Sequence, residues 1–174
     1  MKLLLLNGHP GSGKTTISQK LRIRIPRLAI IDVDLFRKFI SDYNHSFEDL
    51  SLMWEVVYSV TEIYLQNNVS VLIDRCIDNP KPKIMLKKLA EKHNVQFQEV
   101  ILYTKTLTCA INRVNERPIK PLSRYKKTKI DNKLISSLHK TIMENIRRKE
   151  AISFDTENIP VKTIVDEIVT LFKQ

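Results

Sequence analysis

The stretch GHPGSGKTT, residues 8–16, holds all three glycines of this 174-residue chain. Gly8 and the pair Gly13 and Lys14 have the spacing of a glycine-rich loop whose backbone N–H groups surround a polyphosphate. A side chain would obstruct such a loop, which would explain why glycine is confined to it. The helix that follows would add its dipole and its unpaired N–H groups.

The loop predicts a nucleoside triphosphate with Mg²⁺ as the cofactor. Lys14 would reach the β- and γ-phosphates, and the hydroxyl of Thr15 would bind the metal ion. The residues expected to bind this cofactor are Gly8, Pro10, Gly11, Ser12, Gly13, Lys14, Thr15 and Thr16.

Acidic residues follow the second and third predicted strands. Asp34, in IDVDLFR, could take the proton of an acceptor hydroxyl, and Arg37 could hold an acceptor phosphate or balance the carboxylate. The alternative is a helix-capping Asp with an ordinary ion pair, and we expect Asp32 to be structural. Asp74 ends the strand VSVLID, where a carboxylate can hold Mg²⁺ directly or through water. It could instead cap a helix or pair with Arg75.

Basic residues concentrate between positions 113 and 129, where Glu116 is the only acid. We predict a short basic lid at about 118–129, with Arg113 and Arg117 one helical turn apart at its start. A lid that closes over the phosphates would neutralise developing charge and exclude water. The alternative is a solvated basic face.

Composition indicates a basic globular protein, with a formal net charge of +10, 43% hydrophobic and 28% charged residues. Such a surface attracts phosphate-bearing ligands and nucleic acid, unless it serves only to solvate the protein. No apolar run could span a bilayer, LLLL is too short for a signal peptide, and two cysteines form no disulfide framework. We therefore expect no membrane association and a cytoplasmic location.

Strands and helices alternate along the chain. Short apolar runs predict five strands, at 2–7, 27–32, 69–74, 95–104 and 151–156. Helices are expected at 14 to about 23, 35–40, 46 to about 67, 83–94, 106–117, about 131–150, and after Pro160. This alternation implies a parallel sheet covered on both faces. The sequence predicts one α/β domain over residues 1–174, with the three-layer P-loop NTPase fold, a five-stranded parallel sheet and a short basic lid.

Taken in order, PGSGKTT, DLFR, VLID and NRVNER resemble the small P-loop kinases, and most closely the kinase domain of polynucleotide 5′-hydroxyl kinases. Chloramphenicol phosphotransferases and adenylate-kinase-like nucleotide kinases are more distant. The likeness extends from residue 1 to about residue 149. It implies ATP and Mg²⁺ as cofactors, with Lys14 and Thr15 binding them.

The resemblance also assigns roles near the acceptor and the lid. Asp34 would be the general base, Arg37 an acceptor-site residue, and Arg117 the lid arginine on the transferred phosphoryl group. Arg113 would lie near the adenine or the phosphates, and the turn DTEN before Pro160 would border the base. Catalysis would then rest on Lys14, Asp34 and Arg117.

These observations predict a kinase that transfers the γ-phosphoryl group of ATP to a hydroxyl acceptor. The 5′-hydroxyl of a polynucleotide fits the net charge, and a nucleoside, nucleotide, sugar or alcohol is the alternative acceptor. Aromatic residues that could stack a terminal base, unless they pack in the core or lid, are Phe36, Tyr43, Phe47 and Trp54. A rival of another class is a nucleotide-binding regulatory or nucleic-acid-binding module without phosphoryl transfer. A GTPase is disfavoured because ILYTKTLT lacks the Asp of a guanine-recognition signature.

Overall fold

The computed structural model describes residues 1–117, 130–147 and 151–173. Its strands are β1 (Lys2–Asn7), β2 (Leu28–Asp32), β3 (Ser70–Asp74), β4 (Gln96–Tyr103) and β5 (Ile152–Asp155). Each strand agrees with its predicted bounds to within one residue, because the apolar runs that predicted the strands are the segments that the core buries. The predicted lid at 118–129 lies outside the described residues.

Seven α-helices accompany the strands in the described part of the chain. They are α1 (Lys14–Arg24), α2 (Val33–Phe36), α3 (Phe47–Gln66), α4 (Pro80–Lys92), α5 (Leu107–Asn115), α6 (Asn132–Arg147) and α7 (Val161–Lys173). A 3₁₀ turn, Arg37–Phe39, follows α2 directly. None of these helices combines the length and the apolar character needed to cross a membrane.

Two helices begin earlier than the sequence predicts, and in both cases a capping side chain explains the difference. The carboxylate of Asp32 accepts a hydrogen bond of 3.0 Å from the N–H of Asp34, so α2 starts immediately after β2. Asn79 caps α4 by accepting a hydrogen bond of 2.9 Å from Lys81. Pro80 then occupies the first helical position, where a missing N–H costs nothing.

The sheet is parallel throughout, in the order β2-β3-β1-β4-β5. The carboxyl ends of all strands therefore meet at one edge, where the register pairs Asp32 with Asp74 on neighbouring strands. The central strand β1 ends at Asn7 and leads directly into residues 8–16. This arrangement places the loop between the ends of β3 and β4, where open α/β sheets bind their ligands.

The run LLLL is explained by the central position of β1. Leu4 and Leu6 contact the core that includes α1 and α7, whereas Leu3 and Leu5 contact the core that includes α3 and α4. All four leucines are at most 1% exposed. An uninterrupted apolar run is what a strand buried on both faces requires. The three-layer α/β fold predicted from the sequence is confirmed.

Candidate active site

Residues 8–16, the phosphate loop, pack closely against β4 and α5. A Cβ at Gly8 would lie 2.2 Å from the carbonyl oxygen of Leu102, and one at Gly11 would lie 2.5 Å from that of Ala110. Side chains cannot make such approaches. Gly8 and Gly11 are therefore required by the packing of the loop on neighbouring backbone. Gly13 differs from them, because its Cβ position has no atom within 4 Å and its φ is +86°. Clearance for a polyphosphate, the explanation from the sequence, stays a prediction at this position.

The first turn of α1 is a ready anion site. Gly13 is its N-cap, and no side chain in the described residues caps this helix end. The N–H groups of Lys14, Thr15 and Thr16 have no intrahelical acceptor because of their position. An uncapped helix N-terminus beside the backbone of the phosphate loop is suited to bind a polyphosphate.

Lys14 is held over the phosphate loop by the carbonyl groups of the loop itself. Its Nζ donates to the carbonyl oxygens of Gly8 (2.7 Å) and His9 (3.2 Å). Burial lowers the pKa of Lys14, and the carboxylate of Asp74 acts in the opposite direction. A phosphate oxygen is a stronger, charged acceptor for this ammonium than either carbonyl. Lys14 is therefore placed to bind phosphate at the mouth of the loop.

Asp74 joins the end of β3 to α1. It is 7% exposed and accepts a hydrogen bond of 3.2 Å from Oγ of Ser18. Burial raises the pKa of Asp74, whereas the charge of Lys14 lowers it. The exposed Thr15 lies one turn before Ser18 on the same helix. Hydroxyl and carboxylate oxygens suit Mg²⁺ when phosphates and waters supply the other ligands, so Thr15 and Asp74 fit this ion.

Within the described residues, no cluster of three or more His, Cys, Asp or Glu side chains could hold a metal by itself. A Mg²⁺ ion bound by one hydroxyl and one carboxylate therefore depends on its nucleotide for the remaining ligands. This is the usual way in which phosphoryl-transfer enzymes bind Mg²⁺.

Asp34 forms the centre of a second charged group, on α2. Its carboxylate accepts hydrogen bonds from both Arg37 and Arg75. The side chain of Asp34 is 51% exposed, and those of the two arginines are 26% and 20% exposed. The pair with Arg37 agrees with the sequence prediction. The pair with Arg75 differs from the expectation from the sequence, in which Asp74 is the possible partner of this arginine.

Arg113 connects the phosphate loop to the turn after β5. Its guanidinium donates to the hydroxyl and to the carbonyl oxygen of Thr156, at 2.9 Å each, and to the carbonyl oxygen of Gly11 at 3.5 Å. The hydroxyl of Thr156 donates in turn to the carbonyl oxygen of Tyr103 (3.0 Å). Arg113 therefore lies at the border between the loop and the turn DTEN, beside the expected position of the nucleotide.

Arg117 is the exposed last residue before the predicted lid. Beyond the effects of burial, its charge lowers the pKa of both Lys14 and Asp74. The charge of Arg117 therefore acts on two groups at the phosphate loop. Residues 118–129, the predicted lid, lie outside the described chain.

Asn7 is a positioning residue that the sequence analysis missed. Its Oδ1 accepts hydrogen bonds from the N–H groups of Gly8 (2.8 Å) and Ile77 (2.9 Å). Its Nδ2 donates to Oε1 of the buried Glu99 (2.9 Å). One amide thus holds the phosphate loop and the segment after β3, which begins with Arg75. The available signal was a polar residue that ends an apolar strand directly before the glycine motif.

A family model describing the Zeta toxin matches residues 2–171, almost the whole chain. The chain belongs to the Zeta toxin family. A search of curated proteins finds no match to it. Solved structures do resemble this Zeta toxin family member over nearly its full length, and several of them are kinases.

A sugar kinase from Janibacter sp. HTCC2649 has a TM-score of 0.69 and 16% identity, covering 99% of this chain and 95% of that one. A gluconokinase from Sinorhizobium meliloti 1021 has a TM-score of 0.66 and 13% identity, covering 97% and 90%. The APS kinase CysC of Mycobacterium tuberculosis, as a Cys556Ala mutant, has a TM-score of 0.61 and 13% identity, covering 99% and 98%. At these identities the likeness establishes a P-loop kinase-like fold.

The Zeta toxin family member therefore has the P-loop kinase-like fold that its sequence predicted. The finer resemblance, to polynucleotide 5′-hydroxyl kinases, is not shown by these comparisons. Asp74 contacts Ser18 of α1, and after burial the charges of Asp74 and Arg117 act in opposite directions on the pKa of Lys14. Asp34 and Arg37 form the neighbouring group with Arg75.

Proposed function

We propose that this chain is a kinase that transfers the γ-phosphoryl group of ATP to a hydroxyl acceptor. The observation that supports this most strongly is the presence of two complementary groups at one sheet edge. One is an uncapped helix N-terminus with Lys14 beside it, and the other is the exposed carboxylate of Asp34. Arg75 contacts Asp34 and also lowers the pKa of Lys14, after the larger effect of burial, so the two groups are close. A module that only binds nucleotide has no need of the second group.

In this proposal each residue has a separate role. The loop backbone, Lys14 and Thr15 bind the phosphates, and Thr15 with Asp74 holds Mg²⁺, which neutralises phosphate charge when bound. Asp34 accepts the proton of the acceptor hydroxyl as its oxygen bonds to the γ-phosphorus and ADP departs. Arg117 stabilises the charge on the transferred group, and Arg113 borders the nucleotide.

The arginines beside Asp34 favour an acceptor that carries an acidic group near its reacting hydroxyl. Arg37 and Arg75 share one carboxylate, and both side chains retain exposed surface. An acidic acceptor would engage these guanidinium groups through charge-assisted hydrogen bonds and leave Asp34 available as a base. The kinases with a similar fold, named for a sugar, gluconate and APS, support a small molecule.

The 5′-hydroxyl end of a polynucleotide is the second candidate acceptor, and exposed aromatic surface favours it. Phe39, in the turn after α2, is 79% exposed, and Phe47, at the start of α3, is 75% exposed. Such rings can stack nucleobases, and the net charge of +10 attracts a polyanion. Phe47 is one of the four aromatic residues predicted from the sequence, and Phe39 is not. Of the other three predicted residues, Phe36 and Trp54 pack against the core, and Tyr43 lies against Arg37.

Transfer of label from [γ-³²P]ATP separates these candidates. The acceptors offered are sugars and nucleosides, their acidic and phosphorylated derivatives, and 5′-hydroxyl RNA and DNA, each at low and at raised salt. We expect label in acidic small molecules and little in their neutral counterparts, with none from a Lys14→Ala variant. Oligonucleotide labelling that falls steeply with salt would favour the second candidate. Labelling of no acceptor by protein that binds ATP would contradict the kinase proposal.

A further inference from the structure

His9, the second residue of the phosphate loop, is completely buried and joins the loop to the end of β4. Its Nδ1 lies 2.8 Å from the carbonyl oxygen of Pro10. Its Nε2 accepts a hydrogen bond of 3.0 Å from the N–H of Thr104, the residue that follows β4. The ring therefore fixes both the internal shape of the loop and its position against the sheet.

Only one protonation state of His9 satisfies both contacts. The carbonyl of Pro10 requires a donor at Nδ1, and the N–H of Thr104 requires an acceptor at Nε2, which together define the neutral Nδ1–H tautomer. Burial lowers the pKa of His9 to about 4. His9 is therefore a neutral connector of fixed orientation at physiological pH.

His139 of α6 holds the same residue from the other side. Its Nε2 donates to the carbonyl oxygen of Thr104 at 3.0 Å, and its ring centroid lies 4.8 Å from that of His9. The N–H of Thr104 is thus bound by one histidine and its carbonyl by the other. Two rings and one residue join α6 to the phosphate loop.

A movement of Thr104 would be passed through His9 to Lys14. The carbonyl oxygen of His9 accepts hydrogen bonds from Nζ of Lys14 (3.2 Å) and from the N–H of Ser12 (3.2 Å). If Thr104 shifts or rotates, its bond to the imidazole moves His9, and the carbonyl that helps to hold Lys14 moves with it.

We propose that His9 and His139 are positioning residues for the phosphate donor, which together fix the phosphate loop to helix α6 through Thr104. The packing of α6 thereby sets the affinity of the loop for nucleotide. This inference rests on the proposed binding of ATP at the loop. Both histidines act through the backbone.

A double-mutant cycle on nucleotide affinity tests the connection. The variants are His9→Leu, His139→Leu and the double substitution, and the readout is the Kd for Mg·ATP by titration calorimetry, with a urea unfolding curve for each protein. His9→Gln and His139→Gln are rescue variants, because an amide supplies both an acceptor for the Thr104 N–H and a donor for its carbonyl. His93→Leu is the matched control. His93 bonds Glu62 at 3.0 Å and precedes β4, at the edge of the sheet opposite to the loop.

We expect His9→Leu to weaken Mg·ATP binding about tenfold, the effect of one lost buried hydrogen bond at the loop. His139→Leu should weaken binding about threefold. The double variant should lose no more affinity than His9→Leu alone does, about tenfold, because His139 acts through Thr104 and His9. Both glutamine variants should recover most of the affinity. His93→Leu should bind as the unsubstituted chain does.

A folded His9→Leu variant with unchanged affinity for Mg·ATP would overturn the proposal. So would a double variant whose loss of affinity equals the product of the two single losses, because the two histidines would then act independently. If His9→Leu does not fold, the half-buried His139 carries the test, and His139→Leu must weaken binding while His139→Gln restores it. A change in unfolding midpoint without a change in Kd marks a merely structural role and also overturns it. If the unsubstituted chain binds Mg·ATP no better than Lys14→Ala, the proposed function itself fails.

Discussion

The donor and acceptor sides of the candidate site are constructed differently. On the donor side, Gly8 and Gly11 press against carbonyl groups of β4 and α5, and Asn7 and His9 anchor the loop by buried hydrogen bonds. On the acceptor side, the side chain of Asp34 is 51% exposed, and its partners are long arginine side chains. Buried backbone and the buried side chains that anchor it shape the donor side, whereas side chains at the surface form the acceptor side.

This difference indicates where function can change without loss of stability. A polyphosphate presents the same shape to every P-loop, so the donor site can be fixed by the core of the domain. An acceptor site made of one exposed carboxylate and two partly exposed arginines can change specificity without repacking the sheet. Substitutions on the donor side should therefore reduce stability, and those on the acceptor side should mainly change substrate use.

The largest expected effect comes from Gly8→Ala. A Cβ there would lie 2.2 Å from backbone and at a φ of +154°, so we expect a loss on the order of 4 kcal/mol in the free energy of unfolding. Gly13→Ala is the control, because its Cβ position is open and only its φ of +86° is unfavourable, at about 1 kcal/mol. Urea unfolding measures both variants. Equal losses would contradict the packing role of Gly8.

Acid should lower the free energy of unfolding because His9, on the donor side, becomes protonated. The pKa of His9 falls from 6.5 to about 4 on folding, chiefly because of burial. At acid pH the unfolded chain therefore binds a proton at His9 more readily than the folded chain does. The contribution of His9 to the free energy of unfolding is present in full above pH 6.5 and is lost as the pH falls towards 4. The full loss is about 3 kcal/mol.

Urea unfolding at about pH 7.5 and pH 4.5 measures this loss. The unsubstituted chain should lose about 2–3 kcal/mol more than His9→Gln over that interval, because glutamine does not titrate. Parallel pH dependences in the two proteins would show that His9 is not held neutral by the fold.

On the acceptor side, Arg75→Gln should change substrate use with little effect on stability. Loss of one cation beside Asp34 should raise the KM for an acidic acceptor about tenfold, with the KM for ATP unchanged and the unfolding free energy altered by at most about 1 kcal/mol. Lys88→Gln, an exposed charge on α4, is the control and should leave all three quantities unchanged. A parallel rise in the KM for ATP would place Arg75 on the donor side instead.

The smallest effect is expected at the start of α3, which follows the acceptor segment. Oγ of Ser46 accepts a hydrogen bond of 3.2 Å from the N–H of Asp49, so Ser46→Ala should cost about 1 kcal/mol. Ser59→Ala, whose hydroxyl bonds a carbonyl within the same helix, should cost only a few tenths of a kcal/mol at most. Equal losses of stability in Ser46→Ala and Ser59→Ala, measured by thermal or urea unfolding, would contradict the capping role of Ser46.

Local features of the structure could be predicted from the sequence. The apolar runs gave the strands, and the spacing of Asp34 and Arg37 indicated an ion pair within one turn. Distant pairs could not be found in this way. Arg75 reaches Asp34 only because β2 and β3 are neighbours, and His9 reaches Thr104 only because β1 and β4 are neighbours. Periodicity along the chain carries no information on strand order.

The role of Asp34 as general base is tested by comparing the unsubstituted chain with Asp34→Asn in phosphoryl transfer from [γ-³²P]ATP to the best acceptor. The substitution preserves shape and removes the base. We predict that Mg·ATP binds within about twofold of its original affinity and that the transfer rate falls at least about a hundredfold. An Asp34→Asn variant that transfers phosphate as fast as the unsubstituted chain would show that Asp34 is not the general base.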